Sequence, residues 1–149
     1  ASAMKEYQIL HLSSRLREGA NRYLIDELTR AGLEDITTAC GDVFHVLFLT
    51  PKIPLKTLAE RIRRTKSTTS VMVDRLERLG YVERRRLESD GRVLVLDLTE
   101  KGRALKPKLD AVAGALNERI VEGFSDEEAR TLERLLAKAA ANFKYPIEA

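Results

Sequence analysis

Between residues 66 and 79 the apolar side chains Met72, Val73, Leu76 and Leu79 recur at intervals of three and four, with Thr69 one turn earlier on the same side. That spacing predicts an amphipathic helix with a single buried stripe. Its opposite side carries Ser67, Ser70, Val71, Asp74, Arg75 and Arg78, and the small residues all fall in the N-terminal half. Thr65 is placed to cap this helix and Gly80 to end it in a left-handed conformation. The pattern then changes to a period of two. Tyr81 to Arg86 is compatible with a strand, and Leu94, Leu96 and Leu98 share one side of a second strand. The pair reads as a hairpin closed at Asp90-Gly91. Upstream, Leu55, Leu58, Ala59 and Ile62 mark a short amphipathic helix over residues 54–62, with only Arg63 and Arg64 between it and the next helix.

Helix, tight turn, helix and hairpin, in that order, form a winged helix-turn-helix, a module that places its second helix in the major groove of DNA. The rest of the chain predicts a helical layer. Ile9, Leu12, Leu16, Ala20, Tyr23, Leu24 and Leu28 give one apolar side from Lys5 to about Ala31, with Gly32 as the stop. A helix from about Asp35 to Leu49 carries Val43, Val46, Leu47 and Leu49. After the hairpin, Thr99 caps a long helix with Leu105, Leu109, Val112, Leu116 and Ile120 inward, bent or uneven in its first turns at Pro107. Ser125 and Glu128 form a capping box for a last helix striped with Leu132, Leu135, Leu136, Ala139 and Phe143. The expected fold is therefore mainly α with a small β-hairpin wing, a winged helix-turn-helix flanked by long N- and C-terminal dimerisation helices. The DNA-binding module spans 36–98, and 5–31 plus 99–144 form the helical dimerisation region of one compact chain. These terminal helices are too apolar to serve only as covers, so they are expected to join two subunits; a monomer in which they fold back is the alternative.

The net charge of +3 is unremarkable, but residues 52–92 hold twelve Lys/Arg against six Asp/Glu. Cations gathered near phosphates displace condensed counterions, which is the source of salt-dependent affinity for DNA. The candidate contacts are Arg63 and Arg64 in the turn, Lys66, Ser67, Thr68, Ser70, Val71 and Arg75 on the recognition helix (66–79), and Arg84, Arg85, Arg86 and Arg92 on the wing (84–93). Hydroxyls and free N–H groups at a helix start suit phosphates or base edges. Asp90 is two residues from Arg92 across a glycine turn and is expected to stabilise the wing tip, with Arg92 or a neighbour entering the minor groove. A solvated charged surface, or a winged helix that binds only protein, is the competing reading; the local basic excess weighs against the latter.

Enzyme motifs are absent: the sequence holds no P-loop, G-x-G-x-x-G, G-x-S-x-G or H-E-x-x-H. His11 and His45 form no spaced ligand pair with Cys40, although a zinc site of Cys40, His45 and a carboxylate brought together by folding stays open as a minor alternative. The lone Cys40 excludes an internal disulfide; it is a buried filler or, less simply, a redox-sensing thiol. No cofactor is implied. There is no run of eighteen apolar residues and no signal-peptide stretch at the start, so no membrane span or export is expected and the chain is placed in the cytoplasm. Ala1, Ser2 and Ala3, ahead of Met4, look like a leftover of recombinant expression.

TLAERI, KSTTSVMVDRLERLGYVERR, and D-G-R followed by L-T-E-K-G resemble the multiple antibiotic resistance regulator (MarR) family of bacterial transcription factors. The wing signature, here Asp90, Arg92, Leu98, Thr99 and Gly102, is the most specific part. The resemblance implies a homodimeric repressor or activator on a pseudo-palindromic operator in double-stranded DNA, often released by a small, commonly aromatic ligand. Two positions depart from the family pattern. Many members have an arginine at Val71, and many have a glycine and an apolar residue where Arg63 and Arg64 stand; an apolar contact with a thymine methyl is the reading available to Val71. The effector-binding residues are unknown from sequence. Tyr7, His11 and Tyr23 are pocket candidates, with packing in a dimer the plainer reading.

Overall fold

Leu33 and Ile36 turn inward just after the first helix, and around them the chain closes on one core. The structure, a computed structural model, describes residues 6–144. The tripeptide ahead of Met4 and the expected helix start at Lys5 lie outside the described residues. In chain order the elements are α1 (Ile9–Arg30), α2 (Cys40–Leu49), α3 (Leu55–Ile62), α4 (Lys66–Arg78), β1 (Val82–Leu87), β2 (Asp90–Leu98), α5 (Glu100–Arg103), α6 (Lys106–Ile120) and α7 (Asp126–Ala140). The fold is mainly α with a two-stranded antiparallel hairpin, as the sequence patterning predicts.

The core joins Val43, Phe44 and Leu47 of α2, Leu58 and Ile62 of α3, Val73 and Leu76 of α4, and Val82, Leu96 and Leu98 of the hairpin. Leu28 of α1 and Val112 of α6 enter the same cluster. Fully burying side chains of this size is worth about 1.5–3 kcal/mol each, so α4 is fixed mainly by its Val73/Leu76 stripe.

Three expectations are corrected. First, α2 begins at Cys40, not near Asp35. Residues 34–39 form turns, because the β-branched run Ile36-Thr37-Thr38 is a weak helix former and Ile36 is drawn into the core. Their polar groups bond locally instead: Ile36 N–H to Leu33 O and Cys40 N–H to Thr37 O. Second, the hairpin turns at Glu88-Ser89, not at Asp90-Gly91. Pairing is regular from Val82↔Leu98 to Arg86↔Leu94, then jumps to Leu87↔Asp90. Gly91, Arg92 and Val93 therefore bulge out of the ladder on β2, a distortion that re-aims side chains. Third, β2 is not one-sided. Leu96 and Leu98 are buried as expected, but so are Val95 and Asp97 on the other face, while Leu94 is 49% exposed. Ile53 bridges Leu96 on the free edge of β2, donating at 3.1 Å and accepting at 2.7 Å. The hairpin base is thus covered on its edge and both faces, and only the tip projects.

The single long helix expected after Thr99 is split into α5 and α6, a sharper break than the bend or uneven first turns expected at Pro107. α5 ends at Arg103, and Pro107 occupies the first turn of α6, where its missing N–H breaks no helical bond. The terminal helices leave their apolar stripes largely uncovered within the chain. Leu28 is the only buried residue of α1, α7 has none, and Ile9, Leu12, Leu16, Leu135 and Leu136 are exposed.

Candidate nucleic-acid interface

The start of α4 is built by hydroxyls. Thr65 Oγ1 accepts the Thr68 N–H at 3.1 Å, the predicted cap, worth about 1 kcal/mol. The buried Thr69 satisfies its own hydroxyl by donating to Thr65 O at 2.8 Å, so a polar side chain joins the core stripe without an unpaired group. On the outer side Ser67 and Thr68 are exposed, Ser70 is half-buried, and Val71 is 67% exposed. This surface is small, hydroxyl-bearing and shallow.

The turn before α4 is tightened by Arg63, whose backbone is left-handed at φ 59° and ψ 45°. A side chain is strained there by about 1–2 kcal/mol, which a glycine avoids. Arg63 N–H reaches Glu60 O and Arg64 N–H reaches Ala59 O, closing α3. Arg63, Arg64 and Lys66 are all exposed and make no ion pair among the described residues. Three cations thus stand next to the hydroxyl-bearing face.

The other predicted cations are held by the protein itself. Arg75 donates to Asp35 O from Nη2 at 2.8 Å and from Nε at 3.2 Å. Arg84 pairs with Asp74 at 2.7 Å and with Glu77 at 3.8 Å, tying β1 to α4. Arg85 bonds Glu83 at 2.8 Å, and Arg86 donates to Gly91 O at 2.8 Å across the hairpin. At the tip, Asp90 Oδ1 accepts the backbone N–H of Arg92 at 3.1 Å and its Nε at 3.2 Å. These bonds hold the Asp90 carboxyl below its ordinary value of 3.8. The Arg92 side chain is still 92% exposed, so its contact with Asp90 orients it without withdrawing it from solvent.

The wing signature has a structural meaning at its second half. Thr99 Oγ1 donates to Gly80 O at 2.6 Å and accepts the Gly102 N–H at 3.1 Å, while Thr99 N–H donates to Tyr81 O. Gly80 is left-handed, as predicted, at φ 84°. A Cβ on Gly102 would lie 2.2 Å from Tyr81 O, so only glycine fits. This clasp fixes the end of α4 against the wing base.

Three residues of this clasp carry roles that patterning did not reveal. Lys101 donates to Leu79 O at 2.8 Å and lies 4.7 Å from the Tyr81 ring centroid, placing a cation at the C-terminus of α4 where the helix dipole favours it. Buried Asp97 accepts the Leu98 N–H, and Arg103 bonds Leu98 O at 2.6 Å and lies 3.9 Å from Asp97. Lys101 was visible within L-T-E-K-G, but nothing in its spacing marked it as a helix cap.

A cleft of about 280 Å³ opens where α1, α2 and α6 meet the 36–38 turn. Leu24, Leu28, Phe44, Phe48, Leu109 and Val112 give it apolar walls, and Asp42, His45 and Asp110 are its titratable groups. Tyr7, His11 and Tyr23 do not line it. Cys40 is buried, accepting from Thr37 Oγ1 at 3.1 Å, and is not among the residues that line the cleft. Among the described residues no three His, Cys, Asp or Glu side chains are grouped to hold a metal ion, and no helix is long and apolar enough to cross a membrane.

A sequence model of the MarR family matches residues 44–94, from α2 to the wing. Over 114 residues the chain is 33% identical to the HTH-type transcriptional regulator SarZ of Staphylococcus haemolyticus, covering 74% of this chain and 75% of that protein. Its fold resembles the crystal structure of a MarR transcriptional regulator from Methanosarcina mazei, with a TM-score of 0.76, 26% identity, and coverage of 90% and 94% of the two chains. It also resembles a mutant MarR from E. coli complexed with operator DNA, with a TM-score of 0.78, 24% identity, and coverage of 91% and 99%. Motif, fold and relatives agree: the chain belongs to the MarR family of winged helix-turn-helix transcriptional regulators, not to an enzyme family.

Proposed function

We propose that the chain acts in the cytoplasm as a homodimer on a pseudo-palindromic operator. α4 enters the major groove and the wing tip reaches the minor groove. The observation that carries this reading is the run from Arg63 to Val71, where three cations without ion pairs among the described residues adjoin an exposed face of Ser67, Thr68 and Val71. Arg63, Arg64 and Lys66 contact phosphate, Ser67, Thr68 and Ser70 reach phosphate or base edges, and Val71 meets a thymine methyl. At the tip, Arg92 is the minor-groove residue, aimed by Asp90. Arg75, Arg84, Arg85 and Arg86 contribute positive potential and hold the reading elements together.

Dimerisation is supported by the uncovered apolar residues of α1 and α7, an exposure that monomeric surfaces seldom keep in contiguous form. In the dimer two copies of α4 stand about 34 Å apart, one DNA turn. Release follows from a small molecule in the cleft between the helical layer and the DNA-binding module, which favours a spacing that mismatches the operator. Footprinting on the promoter beside the gene tests the reading, together with light scattering of the free protein. Two protected half-sites about 10 bp apart and a dimer mass are expected; a monomer, or uniform coating of any duplex, contradicts it.

A further inference from the structure

We infer that the cleft between α1, α2 and α6 takes a flat apolar ligand carrying a protonated amine, and discriminates against aromatic carboxylates. This rests on the proposal that the cleft is the effector site, and assigns its ligand class. The walls are apolar and aromatic, with the Phe44 and Phe48 rings 5.9 Å apart and tilted by 31°. Such rings accept a planar hydrocarbon and attract cations to their faces. Phe48 already has one nearby, since Lys106 Nζ lies 5.6 Å from its centroid.

The charge of the lining decides the ligand's sign. Asp42 and Asp110 contribute carboxylates, and among the described residues no lysine or arginine lines the cleft. Asp110 is shared with Lys106 at 2.7 Å. Asp42 forms no ion pair among the described residues, so it carries the larger unbalanced charge. Lys108, on the same helix, is turned to Ala31 O at 3.4 Å. The start of α2 offers an anion little compensation, because the N–H groups of Cys40, Gly41 and Asp42 already donate to Thr37 O, Thr38 O and Ala39 O. A carboxylate in this cleft would meet Asp42 as like charge, with the exposed His45 imidazole the nearest lining donor to offset it, whereas an ammonium gains a partner in Asp42, the lining carboxylate that Lys106 does not hold.

Three matched probes test the assignment on the purified full chain at neutral pH: naphthylmethylamine, naphthylmethanol and naphthoate. Calorimetric titration is expected to rank amine over alcohol over acid, with the amine favoured over the alcohol roughly three- to tenfold and less so at high salt. Asp42→Asn should remove most of that preference, Asp110→Asn a smaller part, and Ala113→Trp, which fills the cleft, should abolish binding of all three. Naphthoate binding as tightly as the amine overturns the inference, as does a preference untouched by both carboxylate variants. DNA binding read in the same samples separates the two claims. An amine that occupies the cleft with this ranking but leaves the operator complex intact upholds the ligand class and removes the effector role. Release by naphthoate alone does the reverse.

Discussion

Arg75, in the C-terminal half of α4, grips the main-chain carbonyl of Asp35 with two guanidinium N–H groups, across forty positions of sequence. Asp35 opens the turn whose next residues, Ile36, Thr37 and Thr38, line the cleft. The bond therefore links the cleft wall directly to α4, the helix proposed to read DNA. A ligand that moves the turn has a rigid path to α4, because the other side of that helix is locked in the core.

This arrangement separates two roles for Arg75 that its position alone does not. As a tether, Arg75→Ala leaves the salt slope of operator binding unchanged, lowers stability by about 1 kcal/mol, and blunts release by a cleft ligand. As a phosphate contact, the same variant lowers the slope of log K against log salt by about one unit. Anisotropy titrations at several salt concentrations, with and without ligand, distinguish the two, and the geometry predicts the first.

Arg63 combines a left-handed backbone with an exposed cation. Arg63→Gly is expected to stabilise the fold by up to about 1 kcal/mol through relief of strain, while weakening DNA binding and reducing its salt slope. Thermal denaturation and binding measured on one preparation should move in opposite directions; a loss of stability would show that the arginine side chain packs usefully.

Gly102→Ala is expected to damage the clasp. Its Cβ would collide with Tyr81 O, and the backbone shift required costs about 1–3 kcal/mol. A fall in Tm accompanied by weaker DNA binding is the expected result. Ala on the neighbouring exposed position, Lys101→Ala, removes the Leu79 carbonyl cap and the cation over the Tyr81 ring but introduces no clash, and should cost less.

The wing tip gives a pH test. The Asp90 carboxyl is held down by Arg92, so the contact is present at neutral pH and above the ordinary value of 3.8, and is lost as pH falls through the lower value of the folded chain. NMR titration should show Asp90 ionising below 3.8 in the wild type and moving upward in Arg92→Ala. An unchanged titration would mean that the tip is not organised by this pair.

Much of this was legible in the residues because local chemistry and global packing agree. The Met72 to Leu79 stripe, the Thr65 cap, the Gly80 stop and the Ser125/Glu128 capping box each form where spacing places them. The misplaced features share a cause, the dependence of an element on distant partners. Asp90-Gly91 is a strong turn signal, yet Asp90 is recruited to hold Arg92 and the chain turns two residues earlier. Asp97 looks like a solvent-facing strand residue until the chain brings Arg103 beside it. Likewise, a count of arginines could not tell which are occupied: Arg75 meets the main-chain carbonyl of Asp35, and Arg84 and Arg85 meet the carboxylates of Asp74 and Glu83, whereas Arg63 and Arg64 form no ion pair among the described residues.

The most direct test is the affinity of the full chain for a duplex from its own promoter, measured from low to high salt beside the Arg92→Ala variant. The account predicts tight, sequence-dependent binding whose logarithm falls linearly with that of salt, with the variant weaker and its slope smaller by about one. No affinity for that duplex at low salt, or an identical slope and affinity in the variant, would contradict it.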